Sequence, residues 1–308
     1  MLLAIVLLGA CAFNNGHTAR HSELHDDQDN HHWRLMWATP DCKVEWTADG
    51  EISYTEDGMD IARLSPGGML TVIQQYGDHA RRVEFEEKSG MLARMYMVDG
   101  MSKPWDHAAA DWFGELLVQV DHTTGALASI RFPRLMAAGG PSAVIADLTD
   151  ASDGAKRAYL KKLAASAKLD ADQSCQIASL AQHMNSDYDR TEVLLDAANE
   201  IDFASQMCRD TYFGAVSTIS SDYDRSRALI AAVEHGPTAG PGLDPFTIAT
   251  ITAARKIASD HEKTRVLVTV AGRCSSADTV RTAYLATART IASDAERARA
   301  LTALIRQQ

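Results

Sequence analysis

The chain carries none of the short patterns that assemble a reaction centre. It has no His-Glu-x-x-His, the helical spacing that seats zinc beside its general base; His21-Ser22-Glu23-Leu24-His25 has the histidine spacing but holds its acid one place late. Gly-x-Ser-x-Gly, Ser-x-x-Lys, Cys-x-x-Cys and a phosphate loop are also missing, and Gly240-Pro241-Gly242 lacks the strand-to-helix setting of a dinucleotide fingerprint. Basic charge is scarce: 30 Lys and Arg stand against 41 Asp and Glu, a net charge of −11. That excludes nucleic acid as a partner, because phosphates demand a basic footprint. Aromatic residues make up only 6%, and all five Trp (Trp33, Trp37, Trp46, Trp105, Trp112) fall before residue 113. The region after about residue 130 is Ala-rich instead, so the 308 residues divide by composition into at least two parts.

What the sequence does have is repetition. Ser-Asp-x-x-[Lys/Arg]-x-x-x-Leu occurs five times, beginning at Ser152, Ser186, Ser221, Ser259 and Ser293, with steps of 34, 35, 38 and 34 residues. A period of this length marks an array of helix pairs, each unable to bury its apolar face except against its neighbours. Every copy reads as a helix start. Ser is an N-cap, Asp suits the positive end of the helix dipole, and an acid three places after the Ser (Asp189, Asp224, Glu262, Glu296) completes a capping box in all copies but the first. The Lys or Arg of the fifth place is badly sited for the dipole and calls for a partner: the Asp three residues back or an acid of the adjacent repeat. The longer step is explained by Gly236-Pro237-Thr238-Ala239-Gly240-Pro241-Gly242, a loop inserted between the two helices of the third repeat.

Before the repeats, from Trp33 to about Lys103, short alternating runs are separated by Asp49-Gly50, Asp57-Gly58, Gly77-Asp78, Ser89-Gly90 and Asp99-Gly100. Punctuation every eight to twelve residues predicts successive antiparallel hairpins. The expected strands are 43–47, 51–55, 59–64, 69–75, 80–87 and 91–98, forming one meander. Its cover is expected over 104–120, where Trp112, Leu116, Leu117 and Val120 make a helical stripe. Residues 131–138 and 143–151 read as an irregular opening helix pair around Gly139-Gly140-Pro141. The expected fold class is therefore α+β: an N-terminal antiparallel β-meander with a covering helix, then an α-solenoid of about five helix-pair repeats of TPR or HEAT length. The expected divisions are 1–11, 12–32, 33–122 and 123–308.

Residues 1–10 are almost wholly apolar and run into Leu8-Gly9-Ala10-Cys11, which resembles a bacterial lipoprotein signal; no Lys or Arg precedes the run. The resemblance implies lipidation at Cys11 and a place on the periplasmic side of a bacterial membrane, the outer membrane by Ala12. Residues 12–32 are rich in His and acid and nearly devoid of apolar side chains, so a structureless tether is expected. His17, His21 and His25 within it are candidate weak metal ligands. Cys42, Cys175, Cys208 and Cys274 allow three complete pairings; Cys175 and Cys208 sit 11 and 13 residues before the next repeat serine and are placed to meet across stacked helices.

Taken together, Ser65-Pro66-Gly67-Gly68, Tyr96-Met97-Val98-Asp99-Gly100, a Trp-bearing helix and repeats opening Ser-Asp-Tyr-[Asp/Glu]-[Arg/Lys] resemble the extracytoplasmic region of some BlaR-like bacterial metallopeptidases and related stand-alone exported proteins. The likeness spans about 40–308 and excludes the peptidase part, whose zinc motif and membrane helices this sequence lacks. It implies an exported module that receives or relays an envelope signal. The functional expectation is a non-catalytic, membrane-tethered scaffold that binds a protein partner, with no cofactor and with Tyr188, Tyr223 and His261, the third residues of their repeats, as the binding ladder. The alternatives are a metal-binding lipoprotein using the His-rich tether and an enzyme whose cleft lies between the two parts.

Overall fold

The structure is a computed structural model that describes residues 21–27, 32–38, 40–166 and 168–306. The chain divides into two compact units between Arg134 and Leu135.

Among the described residues the first unit is built on nine strands: β1 (His21–Asp27), β2 (His32–Ala38), β3 (Cys42–Asp49), β4 (Ile52–Tyr54), β5 (Ile61–Leu64), β6 (Met69–Tyr76), β7 (His79–Lys88), β8 (Met91–Val98) and β9 (Met101–Lys103). Seven form one antiparallel sheet in the order β1-β2-β3-β6-β7-β8-β9. The six expected strands are all present, but they do not make a single meander. β4 and β5 pair only with each other, as a hairpin inserted between β3 and β6. The stretch read as a tether also departs from expectation, because His21–Asp27 pairs along its length with His32–Ala38. Ladder hydrogen bonds come from the backbone, so a run short of apolar side chains can still extend a sheet.

Alternation sets the buried face. Val44, Trp46 and Ala48, Leu70 and Val72, and Val83 and Phe85 are all buried at period two. The turns keep the strands in register: Ser89 and Gly90 have φ of 55° and 83°, and Asp99 and Gly100 have 50° and 75°, the left-handed pairs that two-residue hairpin loops require. The cover is α1 (His107–Thr124), capped by Asp106, whose side chain accepts from the Ala109 N–H. It starts three residues later than expected, so Pro104 lies outside its first turn. Its buried stripe is the expected one, Trp112, Leu116, Leu117 and Val120, joined by Phe113. Phe113 stacks on Trp46 at 6.0 Å and meets Phe85 at 5.1 Å, while the Trp112 Nε1–H donates to Gln74 at 2.6 Å. Arg94 lies over Phe85 and Trp105 and pairs with Asp60 at 2.8 Å, which fastens the inserted hairpin to the sheet. In the last turn of α1, buried Asp121 accepts from the Leu127 N–H and from Arg131, both at 2.8 Å, and closes the turn into α2 (Ala128–Asp147).

Helix α2 crosses the boundary between units and is broken by non-helical Gly139 and Gly140, as the expected irregular pair requires. The second unit continues with α3 (Asp153–Ser166), α4 (Ala171–Gln182), α5 (Asp187–Ala198), α6 (Gln206–Ser217), α7 (Asp222–His235), α8 (Leu243–Ala254), α9 (Asp260–Ala271), α10 (Asp278–Ala288) and α11 (Asp294–Ile305). All five repeat serines fall at helix starts. Odd-numbered helices from α3 to α11 pack in sequence on one another, and α4, α6, α8 and α10 form a second row. Among the described residues the five repeat starts open α3, α5, α7, α9 and α11, four of them paired with a second-row helix and the last closing the array, as expected of an α-solenoid of about five repeats. None of the described helices is long and apolar enough to cross a membrane.

Candidate partner-binding face of the helical array

The repeats are joined by an interaction that the capping-box expectation misassigned. Each cap serine does accept from the N–H three residues on, as Ser221 Oγ does from Asp224 at 3.2 Å. From the second repeat onward its own N–H, however, donates to the Asp of the preceding repeat. Asp153 accepts from Asn185 and Ser186 (both 2.7 Å), Asp187 from Ser220 and Ser221 (2.8 and 2.9 Å), Asp222 from Ala258 and Ser259 (3.0 and 2.7 Å), and Asp260 from Ala292 and Ser293 (3.2 and 2.8 Å). One carboxylate thus holds two consecutive backbone donors of the next helix start. The Ser293 and Ala292 N–H groups keep the Asp260 carboxyl below the usual carboxylate range. The acids of the fourth place, freed from capping, turn to neighbours: Asp189 takes Arg157 at 2.6 Å, and Glu262 takes the Ser226 hydroxyl.

The recurring Lys or Arg is likewise not a solvated charge. Lys156, Arg190 and Lys263 are buried. Arg190 pairs with Asp187 at 2.8 Å and donates to the carbonyls of Ala181, Met184 and Thr218, the last of these 28 residues away in the next repeat. These carbonyls sit at or just beyond the ends of α4 and α6, where backbone acceptors lack helical partners. Burial pulls the Lys156 ammonium below the usual lysine range, against the opposing pull of Asp153 and Asp150. Arg225 pairs less closely with Asp222, at 3.9 Å, and Arg297 pairs with Asp294.

With Ser, Asp and Lys or Arg committed to stacking, the residue between them is left outside. Tyr188 and Tyr223 are 54% and 56% exposed, and the His261 side chain is 60% exposed. They do not fill the space between repeats. Arginines hold the two tyrosines in place: Arg157 lies 5.6 Å over Tyr188, while Arg227 and Arg265 lie 5.7 and 6.0 Å from the Tyr223 ring. Each of these arginines is itself anchored, Arg157 to Asp189, Arg227 to Glu192 at 2.7 Å and Arg265 to Glu262 at 2.7 Å. His261 Nδ1 is 3.2 Å from Glu296. The result is three exposed rings, one per repeat, on a scaffold of inter-repeat ion pairs.

Two structural tyrosines went unread in the sequence. The Tyr212 hydroxyl contacts the Leu194 and Ala228 carbonyls (3.3 and 2.9 Å), and that of Tyr284 contacts those of Leu267 and Ala300 (3.0 and 2.9 Å). Each bridges two successive cap helices from the second row, and burial pushes both phenols up. Both stand nine residues before a repeat serine, the signal by which they could have been found.

Cys175 and Cys208 form a disulfide between α4 and α6, with Cα atoms 4.9 Å apart, and burial pushes the free Cys274 thiol up to about 11. Among the candidate metal ligands, His21 and His25 lie in β1 opposite Ala38 and Arg34, and His17 lies outside the described residues, as does Cys11. Among the described residues no group of three or more His, Cys, Asp or Glu is placed to hold a metal ion. No family model, no curated protein and no solved structure matches the chain, so the likeness to the BlaR-like region stands on the residues that suggested it.

Proposed function

We propose that the protein is an exported interaction scaffold whose helical array presents Tyr188, Tyr223 and His261 to a protein partner. The observation that carries this reading is the exposure of three equivalent rings, the two tyrosines held by arginines that are already paired and His261 standing beside Glu296. Rigid aromatic side chains give large contact area at small entropic cost, which is why they dominate binding surfaces. Export is supported by the Cys175–Cys208 disulfide, a bond that persists in oxidising compartments and is rare in the cytosol. It does not depend on lipidation of Cys11.

The test is a photo-crosslinking amino acid placed at position 223 in intact cells, with the triple variant Tyr188→Ala, Tyr223→Ala, His261→Ala as comparison. A discrete crosslinked partner, competed by the parent chain and not by the triple variant, is expected. Since the three side chains are exposed, the triple variant should lose no more than about 1.5 kcal/mol of stability, from the usual range for single surface changes. Competition as strong by the triple variant as by the parent would remove the ladder from the function.

A further inference from the structure

The third repeat holds a groove that the regular junctions explain by contrast. Phe246, in the first turn of α8, packs 5.2 Å from Phe203 and 6.0 Å from Phe213. Gly242, at the end of the inserted loop, lies so close to Ala204 that a Cβ there would come within 2.9 Å. The start of α8 is thus pressed onto the second repeat. Farther along, small residues take over, and a cavity of 240 Å³ opens between α6 and α8, lined by Val216, Ser217, Thr252, Ala253, Arg225 and Lys256 among others. No acid lines it.

The charge in its wall is less satisfied than at the neighbouring junction. Arg190 donates from Nε to the Ala181 carbonyl and pairs with Asp187 at 2.8 Å. Arg225, at the equivalent place, donates to the carbonyls of Lys256 and Ile219, but its buried Nε finds no partner and Asp222 is 3.9 Å away. A guanidinium with a distant counter-charge, an exposed ammonium at Lys256, two hydroxyls and an apolar floor make a site for an anion attached to a small apolar group. A cavity of roughly 150 Å³ already admits benzene, so this one has room for a terminal residue.

We propose that the groove takes the C-terminal carboxylate of a partner polypeptide, with one small apolar side chain lying against Val216 and Ala253. Capture of a chain terminus is an established mode of peptide recognition, and here the carboxylate supplies the charge that Asp222 does not bring close to Arg225. The inference rests on the scaffold reading and names the end of the partner that this second surface reads.

The probe is a fluorescein-labelled hexapeptide of glycine and serine ending in valine, prepared as the free acid and as the C-terminal amide, with binding to the full chain followed by anisotropy. The acid is expected to bind about tenfold or more tightly than the amide, the factor that one charge-assisted contact supplies. Lys256→Glu and Ala253→Trp should each reduce acid binding to the amide level while the thermal melt stays that of a folded array. Equal binding of acid and amide, no saturation by the acid at about 1 mM, or parental binding by both variants overturns the proposal. In-cell capture through the ladder without peptide binding in the groove overturns this inference alone. Saturable acid binding without capture overturns the ladder and keeps the groove.

Discussion

Asp222 clamps the junction between the third and fourth repeats. Its Oδ2 accepts from the Ala258 and Ser259 N–H groups, two donors that would otherwise end a chain segment unpaired. A hydrogen bond to a charged acceptor contributes about 1.5–3 kcal/mol, and an orphaned donor costs about as much. Asp222→Ala should therefore destabilise the chain by about 2–3 kcal/mol, read as a lower urea midpoint at unchanged slope. Asp294 is the internal control. It stands at the same place in the last repeat, is 90% exposed, and among the described residues is bonded to Arg297. Asp294→Ala should cost less than about 0.5 kcal/mol, as for a surface change. Equal losses in the two variants would mean that helix-dipole stabilisation, not the clamp, accounts for the recurring Asp. The same residue shows where sequence reading stops. That Ser caps a helix is a local fact and was legible at all five starts; that the cap's own N–H goes to a carboxylate 33 to 37 residues upstream depends on stacking geometry that no single repeat contains.

At the scale of elements, hairpins and helix starts were legible for one reason: their determinants lie within a few residues. Left-handed Asp99-Gly100 fixes a turn wherever it occurs, and period-two burial at Val44 and Trp46 follows from the strand itself. Which strands pair was not legible. β3 passes over the β4–β5 hairpin to join β6, a choice settled by packing that includes Arg94 and Asp60. The Cys175–Cys208 bond belongs to this scale as well. It staples consecutive second-row helices and closes a loop of 33 residues, for which chain entropy predicts about 3–4 kcal/mol of stabilisation. The double variant Cys175→Ser, Cys208→Ser should lower the denaturant midpoint by that amount, and because Cys42 is also disulfide-bonded, reduction should lower the midpoint of the parent chain by more than it lowers that of the variant. A parent insensitive to reductant would place no stabilising bond between α4 and α6.

For the molecule as a whole, the clamp at Asp260 makes acidity a test of the array. Asp260 has its carboxyl held below the ordinary value of 3.8 by the Ser293 and Ala292 N–H groups. A carboxyl lowered on folding contributes stability above its unfolded value and loses that contribution as pH falls through the folded value. In the first unit Glu87, bonded to the Gly67 and Gly90 N–H groups, and Asp99, bonded to the Ala80 N–H and His79, are lowered in the same sense. Asp196 opposes them, since burial raises its carboxyl and acid relieves that cost. The lowered groups outnumber it, so the melting temperature should stay level from about pH 7 to about pH 4 and fall below that. Asp260→Asn tests the attribution, because it removes the titrating charge while leaving one acceptor oxygen at the junction. It should melt lower than the parent at pH 6 and converge with it as pH drops towards 2. Curves that remain parallel down to that pH would show that protonation of the Asp260 clamp has no part in acid unfolding. A fall beginning above about pH 5 would move the cause away from the lowered carboxylates of the Asp260 junction and the hairpin turns.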